Sequence, residues 1–121
     1  MPALPRDWTF LILEDEPLIR MDIEEMVQEA GSDAIAVETL EKARAALADR
    51  RRPDGAILDA LLPDGDTFAL ARELIADRVA VIFVTGYAGG IPDDLATCPV
   101  VEKPFTPEDL MAAMAAAMTG R

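Results

Sequence analysis

The chain has 121 residues, 51% of them hydrophobic, and carries 11 Lys plus Arg against 23 Asp plus Glu, a formal net charge of −12. That length suits a single domain with a sizeable core, and that charge opposes nucleic acid and anionic membranes as partners, which it would repel at short range. One cysteine, Cys98, excludes an internal disulfide, and the absence of histidine removes imidazole zinc sites, Ser-His-Asp chemistry and an internal phosphohistidine.

Met1 to Asp7 lacks the apolar core of a signal peptide, and no apolar run approaches membrane-spanning length, so a soluble cytoplasmic protein is expected. Residues 1–8 are expected to form an N-terminal extension to one domain over 9–121, with no output domain. Thr9 to Leu13 is too short for a helix and suits a strand buried on both faces. Pro17 then opens a helix whose inner face is Ile19, Ile23, Met26, Val27 and Ala30, with Gly31 as its stop. Ala34 to Val37 reads as the second strand, and Thr39 caps a second helix with Leu40, Ala43 and Leu47 inward. Arg50-Arg51-Arg52 ends that helix as a solvated, dipole-complementing cluster.

Gly55 to Leu58 is the third strand and ends at Asp59; the helix after it presents Phe68, Ala71, Leu74 and Ile75. Val79 to Val84 is the most apolar strand, as a central one should be. Tyr87 to Pro92 holds too many breakers for a good helix, so a fourth helix must be short or irregular and start near Pro92. Pro99 to Val101 is a short fifth strand, and Thr106-Pro107-Glu108-Asp109 is a strong helix start. In this last helix Leu110, Met114 and Ala117 are expected to face the sheet, with an adaptable Met-rich contact face as the alternative. Alternating strands and helices with short links imply an α/β fold, a doubly wound five-stranded parallel sheet.

Such a sheet gathers the C-terminal ends of its strands along one edge. Glu14, Asp15, Asp59, Thr85 and Lys103 each stand at or just beyond a strand end, so they are expected to converge. Two carboxylates ~4 Å apart at an effective dielectric of ~20 repel by roughly 4 kcal/mol, which protonation or a cation must relieve. An all-oxygen set suits Mg²⁺ better than Zn²⁺. Asp59 is the candidate nucleophile, because a carboxylate can form an acyl phosphate. Lys103 can neutralise a phosphoryl group, and the Thr85 hydroxyl can hydrogen-bond one of its oxygens.

These residues, in the segments Leu13-Glu14-Asp15-Glu16-Pro17, Leu58-Asp59-Ala60-Leu61-Leu62-Pro63-Asp64-Gly65, Val84-Thr85-Gly86-Tyr87 and Glu102-Lys103-Pro104-Phe105, make the chain resemble the receiver domain of two-component response regulators from about Thr9 to Met118. The resemblance implies a flavodoxin-like fold with strand order 2-1-3-4-5. It also implies phosphorylation of Asp59 by a histidine kinase or phosphotransfer protein, with Mg²⁺ held by Glu14, Asp15, Asp59 and the Leu61 backbone carbonyl. A cis Lys103–Pro104 bond is a further implication. The chain would then be a stand-alone phosphoacceptor rather than an enzyme, with at most self-catalysed phosphoryl transfer and autodephosphorylation. It would signal in a phosphorelay through contacts with a downstream protein; a homodimer stays open.

The chain departs from the family where Val100 replaces the aromatic residue usual three positions before the Lys, and where Thr85 to Lys103 is short. Phe83-Val84-Thr85-Gly86-Tyr87 resembles a subgroup of stand-alone receivers marked by Phe-Ala-Thr-Gly-Tyr, which makes Tyr87 the candidate switch. A phosphorylation-independent interaction module of the same fold is the alternative. A phosphatase of the haloacid-dehalogenase type is disfavoured, because its second Asp would fall at Leu61, and a P-loop nucleotidase lacks its Gly-Lys-Ser/Thr stretch.

Overall fold

The structure, a computed structural model, describes residues 8–49 and 51–119. In chain order the elements are β1 (Thr9–Leu13), α1 (Pro17–Glu29), β2 (Asp33–Val37), α2 (Leu40–Asp49), β3 (Gly55–Asp59), β4 (Leu61–Leu62), β5 (Gly65–Asp66), α3 (Phe68–Ala76), β6 (Ala80–Thr85), β7 (Val100–Glu102) and α4 (Pro107–Met118). Two single 3₁₀ turns, Ala88–Gly90 and Asp93–Leu95, stand between β6 and β7. The expected extension lies, apart from Trp8, outside the described residues, as does Arg50 of the arginine run.

Five parallel strands form one sheet in the order β2-β1-β3-β6-β7, the flavodoxin-like 2-1-3-4-5 order once the small antiparallel β4-β5 pair is set aside. Alternation along each strand divides the core. Phe10, Ile12, Ile57, Ile82, Val84 and Val101 pack against α1 and α4 on one face. Leu11, Leu13, Leu58, Val81 and Phe83 pack against α2 and α3 on the other. β3 and β6 are buried throughout, which explains why their sequences are continuously apolar rather than alternating.

Local signals set the helix ends. Gly31, at φ 94°, lets α1 finish with the Ser32 amide on the Val27 carbonyl at 3.2 Å and its own amide on Gln28 at 3.0 Å. Thr39 Oγ1 accepts from the Lys42 amide at 3.1 Å, and Thr106 and Asp109 form a reciprocal capping box. Between β6 and β7, where a short or irregular helix starting near Pro92 is expected, only the two 3₁₀ turns form among the described residues, the second directly after Pro92. Leu95, only 2% exposed, covers the sheet there with Ile91 and Cys98 beside it. Arg72 ties this segment to α3 by two hydrogen bonds to Asp94, 2.7 and 3.1 Å.

Two helix faces differ from expectation. In α3, Leu70 is buried and Ile75 is exposed, because Ile75 borders an open groove beside Cys98, Pro99, Ala116 and Ala117. In α4, Ala113 and Met118 are buried with Leu110 and Met114, while Ala117 is only half-buried. Met118 reaches across to the start of β3, where Gly55 leaves room for the Phe10 ring and the Met118 sulfur.

Candidate functional site: an acidic cleft at the C-terminal sheet edge

The last paired rungs of the sheet are Leu13 with Leu58, Asp59 with Val84, and Thr85 with Glu102. The chain leaves the sheet at this level. The Glu14 amide donates to the Val37 carbonyl at 3.1 Å, the Ala60 amide to Val84 at 3.0 Å and the Lys103 amide to Thr85 at 2.7 Å. Backbone pairing one rung past the strands therefore holds Glu14, Asp59, Thr85 and Lys103 against one another. The Lys103–Pro104 peptide is cis.

Carboxylate oxygens of Glu14, Asp15 and Asp59 lie within 4.8 Å of one another. Lys103 Nζ sits among them, 2.9 Å from Glu14 Oε1 and 3.0 Å from Asp59 Oδ2, with Glu16 Oε1 farther off at 3.8 Å. One ammonium against three carboxylates leaves the charge unbalanced. Burial pushes the Glu14 carboxyl up to about 7 despite the opposing contact with Lys103. Burial also works against the Lys103 ammonium, but its close contacts with the Glu14 and Asp59 carboxylates outweigh that and raise its pKa.

The residues fit a hard divalent cation on three grounds. The donors are all oxygen; the charge is unbalanced by about the right amount; and Glu14 Oε1 is buried yet accepts no well-directed hydrogen bond despite the nearby ammonium. Asp59 Oδ1, by contrast, accepts from the Leu61 amide at 3.2 Å. Asp15, Asp59, Leu61, Thr85, Tyr87 and Lys103 line one open cleft of about 400 Å³ with Glu16, Pro63 and Gly86. Glu14 lies beneath it, 1% exposed. All seven residues singled out from the sequence thus meet at one place.

Tyr87 stands at the rim, 69% exposed. Its amide donates to Thr85 Oγ1 at 3.2 Å, and its ring lies over Gly89, where an added Cβ would come within 2.7 Å of the phenol oxygen. Glu102 Oε2 accepts from the Ala88 amide at 3.3 Å and braces the same loop. Val100 is half-buried against the α3 side of the core.

Two contributors were not evident from the sequence. Arg20 in α1 donates to the Glu14 carbonyl at 2.9 Å and approaches the Asp15 carbonyl at 3.5 Å, with Glu38 3.7 Å from its other terminal nitrogen. Its spacing within the helix carries a hint, since Arg20 falls one turn after Glu16 on the side that meets the acidic loop. Thr67, completely buried, donates its hydroxyl to the Asp59 carbonyl at 2.8 Å.

Known proteins share this arrangement of sequence and fold. The model of the response regulator receiver domain matches residues 10–115. Transcriptional regulatory protein PdtaR of Mycobacterium tuberculosis is 31% identical over 122 residues, covering 97% of this chain and 58% of its own length. The phyllosphere-induced regulator PhyR of Methylorubrum extorquens is 34% identical over 116 residues, covering 89% of this chain and 42% of its own length. The chain therefore spans about half the length of these curated relatives. Among solved structures, SdrG from Sphingomonas melonis Fr1 superposes with a TM-score of 0.79 at 33% identity, over 98% of this chain and 100% of SdrG. PhyR from Brucella abortus gives 0.78 at 30% identity, over 96% of this chain and 49% of its own. With the receiver model covering most of its length, the chain belongs to the response regulator receiver domain family, a family of signalling proteins.

Proposed function

We propose that this chain is a phosphoacceptor that takes a phosphoryl group on Asp59 from a histidine kinase or phosphotransfer protein and signals through contacts with a downstream protein in a phosphorelay. The observation that carries it is the placement of Lys103 Nζ between Glu14 and Asp59 at 2.9 and 3.0 Å, inside a group of three carboxylates. A structural ion pair would need one acid for one base. Here the surplus of acid calls for a cation, and the open cleft leaves room for a phosphoryl group.

Mg²⁺ held by Glu14, Asp15, Asp59 and the Leu61 carbonyl would supply charge neutralisation. The chain's own residues do the rest. An Asp59 carboxylate oxygen forms the new P–O bond as the P–N bond of a phosphohistidine breaks, and the leaving imidazole nitrogen takes up a proton. The Leu61 amide on Oδ1 and Lys103 on Oδ2 fix the plane of the carboxylate before attack. Once a phosphoryl group is in place, Lys103 and the Thr85 hydroxyl bind its oxygens. Hydrolysis of the acyl phosphate by a water in the open cleft returns the protein to its starting state.

Tyr87 is the candidate reporter of that change. The Thr85 hydroxyl now lies 3.4 Å from the Tyr87 carbonyl and bonds the Tyr87 amide. A phosphoryl oxygen that captures this hydroxyl competes for the same hydrogen, which frees a loop containing Gly86, Gly89 and Gly90 to rearrange. One observation favours a second reading. Val100 offers no ring to move between exposed and buried positions, as expected of a receiver-fold module that binds its partner without phosphorylation.

Intact mass after incubation with acetyl phosphate separates the two. Gain of one phosphoryl mass in Mg²⁺, lost in EDTA and absent from Asp59→Asn, is the expected result. No gain in the parent chain from acetyl phosphate, phosphoramidate or candidate phosphorylated kinases would leave the phosphorylation-independent module as the better account.

A further inference from the structure

Thr67 immediately precedes α3, the position at which a threonine ordinarily turns its oxygen back to accept an amide of the first turn. This one does not cap its helix. Its hydroxyl points away and donates to the Asp59 carbonyl at 2.8 Å, with the Ala60 carbonyl 3.5 Å off. Its amide donates to the Ala60 carbonyl at 3.1 Å. Asp66 Oδ1 takes the Phe68 amide at 3.1 Å in its stead. Thr67 is 0% exposed, so no water competes for the hydroxyl, and its choice of partner is set by the fold.

From these contacts we infer that Thr67 is a positioning residue for the phosphoacceptor, acting through the backbone of residues 59–61. Thr67 grips the two carbonyls that follow the Asp59 and Ala60 α-carbons, while the Ala60 amide is held by Val84. The two peptide planes after Asp59 are thereby fixed, and with them the direction of the Leu61 amide. That amide is the donor that holds Asp59 Oδ1, and Lys103 holds Oδ2. Removing the hydroxyl leaves the Asp59 carbonyl buried without that donor and its peptide plane held only from the amide edge, by Val84, so the plane tilts and the Leu61 amide is aimed less well at Oδ1. The inference rests on the proposed role of Asp59 and adds to it the device that aims the nucleophile.

The test compares two variants of the full chain. Thr67→Val keeps the shape and removes the hydroxyl; Thr67→Ser keeps the hydroxyl and removes a methyl group. Phosphorylation by phosphoramidate at saturating Mg²⁺ is followed by intact mass, and exchange of the Leu61 amide by NMR. The valine variant is expected to phosphorylate about tenfold more slowly, as a misaimed nucleophile should, and to exchange the Leu61 amide faster. The serine variant should keep the parent rate and the parent protection. A role confined to packing would give the reverse order, since serine loses the methyl group and valine does not. Parent-like rate and exchange in valine, or a slowed serine variant, would overturn the proposal; the serine result decides alone if valine does not fold. A parent chain that takes up no phosphoryl group would overturn the acceptor role itself, whereas a phosphorylated parent with an unaffected valine variant overturns only the role of Thr67.

Discussion

Lys103 Nζ stands 3.0 Å from Asp59 Oδ2, and the two are brought together from β7 and β3, strands that are not neighbours in the sheet. The lysine spans the end of β6 to reach the acid, and the same nitrogen contacts Glu14, which follows β1 on the far side of β3, at 2.9 Å. Removing it leaves three carboxylates facing one another with no fixed positive charge. Lys103→Met should therefore lower stability in EDTA at pH 7.5 by roughly 3 kcal/mol, since breaking a buried pair strands its partners. Added Mg²⁺ should recover much of that loss, while phosphoryl uptake stays low. Urea unfolding with and without Mg²⁺ measures both. Equal loss in EDTA and in Mg²⁺ would show that metal and lysine do not share a site.

The Glu14 carboxyl makes the metal-free protein sensitive to pH. Its folded value of about 7 exceeds its unfolded value near 4.5, so between those values the folded state binds more protons than the unfolded chain. The stabilisation from this proton is present in full below pH 4.5 and is lost as pH rises through 7. At most roughly 3 kcal/mol is at stake. In EDTA, stability should fall between pH 5 and 8 by an amount that Glu14→Gln abolishes. A flat profile in the parent over that range would contradict the shift.

Gly89 gives access to the proposed switch without touching the acidic cluster. A Cβ there would lie 2.7 Å from the Tyr87 phenol oxygen and 2.8 Å from the carbon bearing it, so the ring must leave its seat. Tyr87 is the chain's one tyrosine, and 3-fluorotyrosine therefore gives a single ¹⁹F resonance. Gly89→Ala should move that resonance in the unphosphorylated protein, and phosphorylation of the parent should move it as well. A resonance unaffected by phosphorylation would remove Tyr87 from the signalling change.

Gly55 tests the core beneath the site. A Cβ at this position would meet Phe10 Cε1 at 2.5 Å, and the Phe10 ring is fully buried with no open side toward which to move. Gly55→Ala should cost about 1–3 kcal/mol in urea unfolding, the usual cost of overpacking. A neutral result would mean that the Phe10 ring does shift, with neighbours such as Met118, whose sulfur lies 3.3 Å from the added carbon, giving way to it.

Much of this was legible in the chain because the five site residues each follow an apolar run, and a parallel sheet has only one edge on which such residues can meet. The order of the strands was carried by the resemblance, since buried strands of equal hydropathy look alike. The β4-β5 hairpin was not visible, because two-residue strands are too short to show alternation. The inner face of α4 was blurred by its alanines, which give no contrast between buried and exposed sides. Thr67 and Arg20 escaped for a different reason. Each acts on backbone carbonyls of a distant loop, and a carbonyl has no identity in the sequence.

The most direct measurement of the central claim is to trap the acyl phosphate. Borohydride reduction of the phosphorylated chain converts an aspartyl phosphate to homoserine, which peptide mass spectrometry can place. Homoserine at position 59, formed only when Mg²⁺ was present during phosphorylation, is the predicted result. Homoserine at Asp15 or another acid, or a phosphoryl group resistant to reduction, would contradict the assignment of Asp59 as the acceptor.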